Sequence, residues 1–323
     1  MTATFTYSNP RVIHWGAGSV AQLRKLEASA VTVVTTRSLR EELHRLPIRP
    51  SRVVVIGQHA PMSEIDAGVE AARGADAIVS FGGGSPIDAA KIIALRLVDV
   101  PHTAVPTTLS VAELAAGAGY TNDQGDKAGM REPGLMPTAV IYDAELTLMT
   151  PMALWLSTGI RALDHAVEGF LAEGEHPFND VMALEAIRRL FDSLPRAKAA
   201  PDDVGVRTEN QLAAWFSFTL PGASAAGLSH TMGKQIGARH GIPHGVTSCL
   251  LLPHVMRYQA NRMPDRAAHL PSPDDVYLLV GSLGLPQHIA AYGIGEPELR
   301  IASEELAGKC PAADILGIYL SAL

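Results

Sequence analysis

Two short stretches in the second half of the chain gather basic side chains at helical spacing. "TGIRALDHAVEG" (158–169) sets Arg161 and His165 four residues apart, on one face of a helix. "GLSHTMGKQIGARHGIPHG" (227–245) adds His230, then Lys234 one turn later, then His244 between a proline and a glycine, where a helix starts. Three imidazoles could hold a metal, but a mononuclear site usually adds an acidic ligand. A dication is disfavoured beside Arg161 and Lys234. The same two charges suit a substrate that bears carboxylates, for which arginine offers a fork of donors. Taken singly, each histidine is equally at home as a packed core side chain.

A second chemistry lies in "VSFGGGSPIDAAK" (79–91). An apolar strand runs into Gly82, Gly83 and Gly84, and a helix follows from Ser85 or Pro86. Glycines let a backbone approach a bulky anion, and the free N–H groups of a helix start hold phosphate. The bland alternative is a plain turn capped by Ser85. "HWGAGSV" (14–20) is a further turn, but it lacks the third glycine of a dinucleotide fingerprint. In "VPTTLSVAEL" (105–114), Thr107, Thr108 and Ser110 could donate to a pyrophosphate or ribose, or cap an ordinary turn.

The elements that must position these residues fall into two textures. Up to residue 150, apolar runs at 31–36, 52–57, 76–84 and 138–146 alternate with helical patterns at 38–46 and 62–74. That rhythm predicts a parallel sheet with helices on both faces. Beyond Pro151, which suits a first helical turn, the segments 151–174, 179–200, 208–220 and 248–263 are helical in pattern. The expectation is an α/β nucleotide-binding domain over 1–150, followed by an all-helical C-terminal catalytic domain over 151–323.

With 323 residues and 47% hydrophobic side chains, the chain can bury two cores. A net charge of -7 and the lack of a long basic run argue against nucleic-acid binding. Two cysteines supply no disulfide framework and no CxxC pair. No signal-peptide core or membrane span is legible, so a soluble cytoplasmic protein is expected.

These motifs resemble the iron-containing alcohol dehydrogenase superfamily and, within it, the maleylacetate reductases. The resemblance runs through "FTYSNPRVIHWGAGSV", "FGGGSPIDAAK", "PTTLSVAE", "VIYDAELTL", "RALDHAVE" and "HGIPHGVTSCLLLPHVMRY", and weakens over the last fifty or so residues. It implies that Gly82, Gly83, Gly84 and Ser85 form a pyrophosphate turn, that Asp88 and Lys91 complete its motif, and that Thr107, Thr108 and Ser110 form a second cofactor loop. It places Thr36 and Arg37 at the adenosine ribose, where an aspartate would favour NAD; Arg37 could meet a 2'-phosphate instead.

In metal-dependent members an aspartate and three histidines surround iron or zinc. Here Arg161 matches the aspartate, His165, His230 and His244 match the histidines, and Lys234 matches a further histidine near the substrate. The resemblance thus implies NADH or NADPH as cofactor, no metal, a small dicarboxylate substrate and a homodimer. The implied reaction is reduction of the carbon–carbon double bond of maleylacetate to 3-oxoadipate in aromatic-compound breakdown. Arg161 and Lys234 are the implied donors to developing charge, and one of the three histidines delivers the proton. The alternative is a metal-dependent alcohol dehydrogenase or aldehyde reductase, or a reductase of a related oxo acid.

Overall fold

The computed structural model describes residues 9–98, 100–174, 176–220, 227–308 and 310–323. The chain groups into two compact units, one running to Thr150 together with Asp202–Trp215, the other made of Pro151–Pro201 and Phe216–Leu323.

In the first unit, strands β1 (Val12–Trp15), β2 (Val31–Thr35), β3 (Arg52–Val55), β4 (Ala77–Gly82), β5 (His102–Pro106) and β8 (Ala139–Tyr142) form one sheet in the order β1-β8-β5-β4-β2-β3. Every pairing in it is parallel. β6 (Gly117–Thr121) and β7 (Lys127–Arg131) make a separate antiparallel hairpin. β2, β4 and β5 are buried along their whole length, the pattern of strands covered on both faces. Alternate residues feed two cores. Val34 and Ile78 pack with Ile65, Ile92 and Ile93 from helices α1 (Met62–Ala71) and α2 (Gly84–Leu97). Val33, Val79 and Phe81 pack on the other face with Leu23 and Leu146. The predicted helix over 38–46 is a 3-10 helix, Arg37–Arg45.

The strand order reverses at β2. The chain leaves β2 for β3 on one side and returns to β4 on the other. In open parallel sheets the crevice beyond the carboxyl ends of two such strands is where ligands bind.

The second unit is built from α3 (Met152–Phe170), α4 (Pro177–Ala199), α6 (Leu228–His240), α7 (His244–Arg262), α8 (Pro264–Ala267), α9 (Pro273–Ser282), α10 (Glu296–Glu305) and α11 (Ala312–Ser321). α5 (Val204–Phe216), read from sequence as part of the helical half, falls almost entirely within the first unit. There Arg207 donates through Nη1 to the Thr147 carbonyl at 3.2 Å. α3 is buried from Trp155 to Phe170, as befits a helix packed on several sides. Met232, Ile236, Leu250, Leu251 and Val255 join Ile289, Leu299, Ile315 and Tyr319 in the core of this unit. Both cysteines are free. Among the described residues no helix is long and apolar enough to cross a membrane.

A buried polar group in the first unit gives stability a pH dependence. Glu113 is fully buried and accepts a hydrogen bond from the Tyr142 hydroxyl at 2.9 Å. Burial pushes its carboxyl from the ordinary 4.5 up to about 7. Its contribution is fully present below pH 4.5 and is lost as pH rises through about 7. The shift corresponds to about 3 kcal/mol. Glu113→Gln should therefore gain stability over the parent as pH rises through this window. Thermal melts of both proteins across the window check this; a constant difference between them would contradict it.

Candidate functional site

Each unit carries its own constellation. In the α/β unit the proposed nucleotide-binding residues lie at the carboxyl ends of parallel strands. Thr36 and Arg37 follow β2, Gly82 ends β4, and Thr107 and Thr108 follow β5. The end of β5 is tied to the end of β4 by the Thr107 N–H, which donates to the Gly82 carbonyl at 2.9 Å. Gly82 has φ 146°, and a Cβ there would stand 2.7 Å from the Pro86 ring. A Cβ on Gly83 would come within 3.0 Å of Thr108 Cγ2, and one on Gly84 within 3.5 Å of Ser110 Oγ. Side chains at these positions would fill a cradle at the start of α2. No side chain caps that helix start, so its first N–H groups remain for a ligand. The cradle fits a pyrophosphate.

Not every residue of the motif faces that cradle. Ser85 Oγ accepts the His59 N–H at 2.9 Å. Asp88 accepts the Gly119 N–H at 3.0 Å and contacts Lys91 Nζ at 3.3 Å. Lys91 is buried and also donates to the carbonyls of Ala112, Ala115 (2.9 Å) and Gly117 (2.7 Å). The Asp88–Lys91 pair thus fastens segment 112–119 to α2. Thr36 Oγ1 lies 3.1 Å from Ser38 Oγ, and Arg37 is exposed.

In the helical unit, Arg161, Asp164, His165 and Glu168 occupy one face of α3, at spacings of three, one and three residues. All four are buried. Arg161 Nη1 donates to Asp164 Oδ2 at 2.8 Å and to Ser248 Oγ at 3.0 Å. Ser248 and Ser229 donate their hydroxyls to the same carboxylate oxygen, at 2.6 and 3.1 Å. One oxygen therefore joins α3, α6 and α7. One helical turn on, Glu168 accepts the Ser229 N–H at 2.5 Å, with the His230 N–H 3.3 Å from its other oxygen. This carboxylate caps the start of α6. A solvated Glu168 would be the ordinary expectation on a helix; here the cap requires it inside.

The histidines follow from this frame. His165 stacks edge-on against Phe218 at 5.0 Å between ring centres and lies 5.9 Å from His230, which lies 5.1 Å from His244. His244 opens α7 and is exposed. Beside it, Gly245 permits a close crossing, since a Cβ there would stand 2.8 Å from the Ser157 carbonyl oxygen of α3. Lys234 is exposed on α6 and makes no hydrogen bond or ion pair with a described residue. Burial, reinforced by Arg161, drives the His165 pKa well below its ordinary value, so this imidazole is neutral. Burial raises the carboxyl pKa of Asp164 and of Glu168.

The chain belongs to the iron-containing alcohol dehydrogenase family. Residues 10–144 match the model described as iron-containing alcohol dehydrogenase, and residues 155–313 match the C-terminal model of the same family. It is an oxidoreductase. It is 32% identical to a maleylacetate reductase of Rhizobium sp., over 93% of this chain and 90% of that protein. It is 35% identical to one from Sphingobium indicum, over 73% and 69%. The crystal structure of maleylacetate reductase from Agrobacterium tumefaciens superposes with a TM-score of 0.89 at 31% identity, covering 100% of this chain and 99% of that one.

This membership corrects the expectation of a site without metal, because the family is defined as iron-containing. The physical reason offered for that expectation is weakened but not removed, since the charge of Arg161 is still felt at His165. Arg161 is offset by Asp164 at 2.8 Å, and Lys234 stands exposed rather than packed against the imidazoles. Two donors are available: Nδ1 of His165 and of His230 are buried without a hydrogen-bond partner among the described residues, and imidazole nitrogen is a common iron ligand. As they stand, the described His, Cys, Asp and Glu side chains form no closed group of three or more around an ion.

Sequence reasoning missed Ser229, Ser248 and Gly227. A Cβ on Gly227 would stand 2.4 Å from the Glu168 carboxyl. Gly227→Ala should displace that carboxylate and cost about 1 kcal/mol, the usual value of a helix cap. Melts of Gly227→Ala, Glu168→Ala and the double variant check this. The double variant should be no less stable than Glu168→Ala alone; additive losses would contradict the assignment.

Proposed function

We propose that this chain is a maleylacetate reductase, with Arg161 as the anchor for one carboxylate of the substrate. The observation that carries the reading is the state of Arg161. It is 3% exposed, Nη1 is committed to Asp164 and Ser248, and Nη2 is buried with no partner among the described residues. An unpaired buried guanidinium nitrogen is costly, and a carboxylate oxygen would satisfy it. The similarity to maleylacetate reductases over most of the chain supports the same substrate.

NADH or NADPH is the cofactor, resting its pyrophosphate on Gly82, Gly83, Gly84 and Ser85 with Thr107, Thr108 and Ser110 beside them. Asp88 supports that cradle through Lys91 and Gly119. Bound NAD(P)H supplies the hydride that adds to the carbon–carbon double bond of maleylacetate and leads to 3-oxoadipate. Thr36 and Arg37 meet the adenosine ribose, and Arg37 offers its charge to a 2'-phosphate. If iron binds here, His165 and His230 are the residues that would hold it, and its Lewis acidity would polarise a substrate oxygen. Arg161 fixes the far end of the substrate, so that little orientation remains to be lost on the way to the transition state. His244, exposed at the edge of the cluster, exchanges protons with water and delivers the one that completes the reduction. Lys234 adds positive charge at the surface, which favours approach of a dianion. The protein acts in the cytoplasm as a homodimer within aromatic-compound breakdown.

Arg161→Ala should lower kcat/KM for maleylacetate by on the order of a hundredfold, the loss of a charged hydrogen bond to substrate. The KM for NADH should stay unchanged, and steady-state kinetics equal to the parent's would overturn the role. Arg37→Ala should raise the KM for NADPH severalfold while leaving that for NADH in place. Equal effects on both cofactors would remove Arg37 from the ribose site.

A further inference from the structure

A guanidinium used as an anchor must be aimed, and Arg161 is aimed from two sides. Its Nη1 hydrogens go to Asp164 Oδ2 and Ser248 Oγ, and Ser248 in turn donates to that same carboxylate oxygen at 2.6 Å. Arginine and carboxylate usually meet fork to fork, each partner using two atoms. Here a single bond joins them, Nη1 to Oδ2 at 2.8 Å. Asp164 Oδ1 and Arg161 Nη2 are each left buried without a partner among the described residues. Ser248 takes a place on Nη1 and on Oδ2, which ties the pair through one edge and leaves Nη2 buried without a partner among the described residues.

We infer that Ser248 and Asp164 are positioning residues that hold Arg161 by Nη1 so that Nη2 is presented to a single substrate carboxylate oxygen. This rests on the anchoring role of Arg161. It deepens that reading by naming what sets the preference for acids: the contact is end-on, through one nitrogen, and its direction is fixed from α7. Without the Ser248 hydroxyl, the guanidinium is free to swing into the fork-to-fork pairing with Asp164. Both amino nitrogens are then consumed internally, and the anchor is lost although its charge remains. The same loss should be partial when the hydroxyl is replaced by a thiol of similar size, a weaker donor.

The test compares Ser248→Ala, Ser248→Cys and Arg161→Ala, each as the full chain, with maleylacetate and with a one-carboxylate analogue that keeps the unsaturated ketone but lacks the anchored acid group. Ser248→Ala should raise the KM for maleylacetate about tenfold, the scale of one hydrogen bond to a charged group. Its kcat should stay within about twofold, and its KM for NADH and for the analogue should not move. Ser248→Cys should fall between the parent and Ser248→Ala. Equal changes in both KM values, kcat and melting temperature would show a merely structural hydroxyl and overturn the inference. Parent-like kinetics of Ser248→Ala beside an impaired Arg161→Ala would overturn it while leaving the anchor intact. Parent-like kinetics of Arg161→Ala would overturn the anchor itself. If Ser248→Ala does not fold, Ser248→Cys carries the same comparison.

Discussion

The helical unit depends on one buried carboxylate oxygen. Asp164 Oδ2 receives Arg161 of its own helix, Ser229 of α6 and Ser248 of α7. Burial opposes a charge there, and three donors, one of them positive, offset part of that penalty while the carboxyl pKa stays raised. Such a hub is costly to break, because removing any donor strands charge in a dry interior. It also decides geometry. The helices that carry His165, His230 and His244 are fastened together at the same point that orients Arg161. Glu168 repeats the device one turn later by capping α6 at the residue beside His230.

The α/β unit solves a different problem by different means. Its ligand cradle is made of backbone, not of charge. Gly82, Gly83 and Gly84 clear the space in front of α2, and the strand order makes that space a crevice at the ends of β2 and β4. Lys91 supplies the rigidity behind it. One buried ammonium holds three carbonyls of segment 112–117 and contacts Asp88, so the segment that follows Ser110 is fastened to α2, the helix whose start carries the glycine cradle.

Much of this was legible in the chain. The strands at 31–35 and 77–82 announce themselves as continuous apolar runs because a parallel sheet buries both faces. Arg161 and His165 are found by spacing alone, because they share one helix. The hairpin 117–131 escaped notice: GAGYT and KAGMR carry little apolar alternation, and only the turn around Gly125 marks it. Ser229 and Ser248 could not be found by spacing, since their partner Asp164 lies 65 and 84 residues away. Lys234 lies exposed on α6, and its spacing from His230 carried no information on that exposure. The expectation of a metal-free site is overturned by membership of an iron-containing family, and the Arg161 charge on which it leaned has a buried partner in Asp164.

The most direct measurement is the rate of nicotinamide oxidation by the purified full-length chain, with maleylacetate and with a simple aliphatic aldehyde as competing choices of substrate. The account predicts rapid NADH or NADPH oxidation with maleylacetate, formation of 3-oxoadipate, and a kcat/KM for the aldehyde lower by on the order of a hundredfold, since the aldehyde has no carboxylate for Arg161. Turnover of the aldehyde with none of maleylacetate would contradict it.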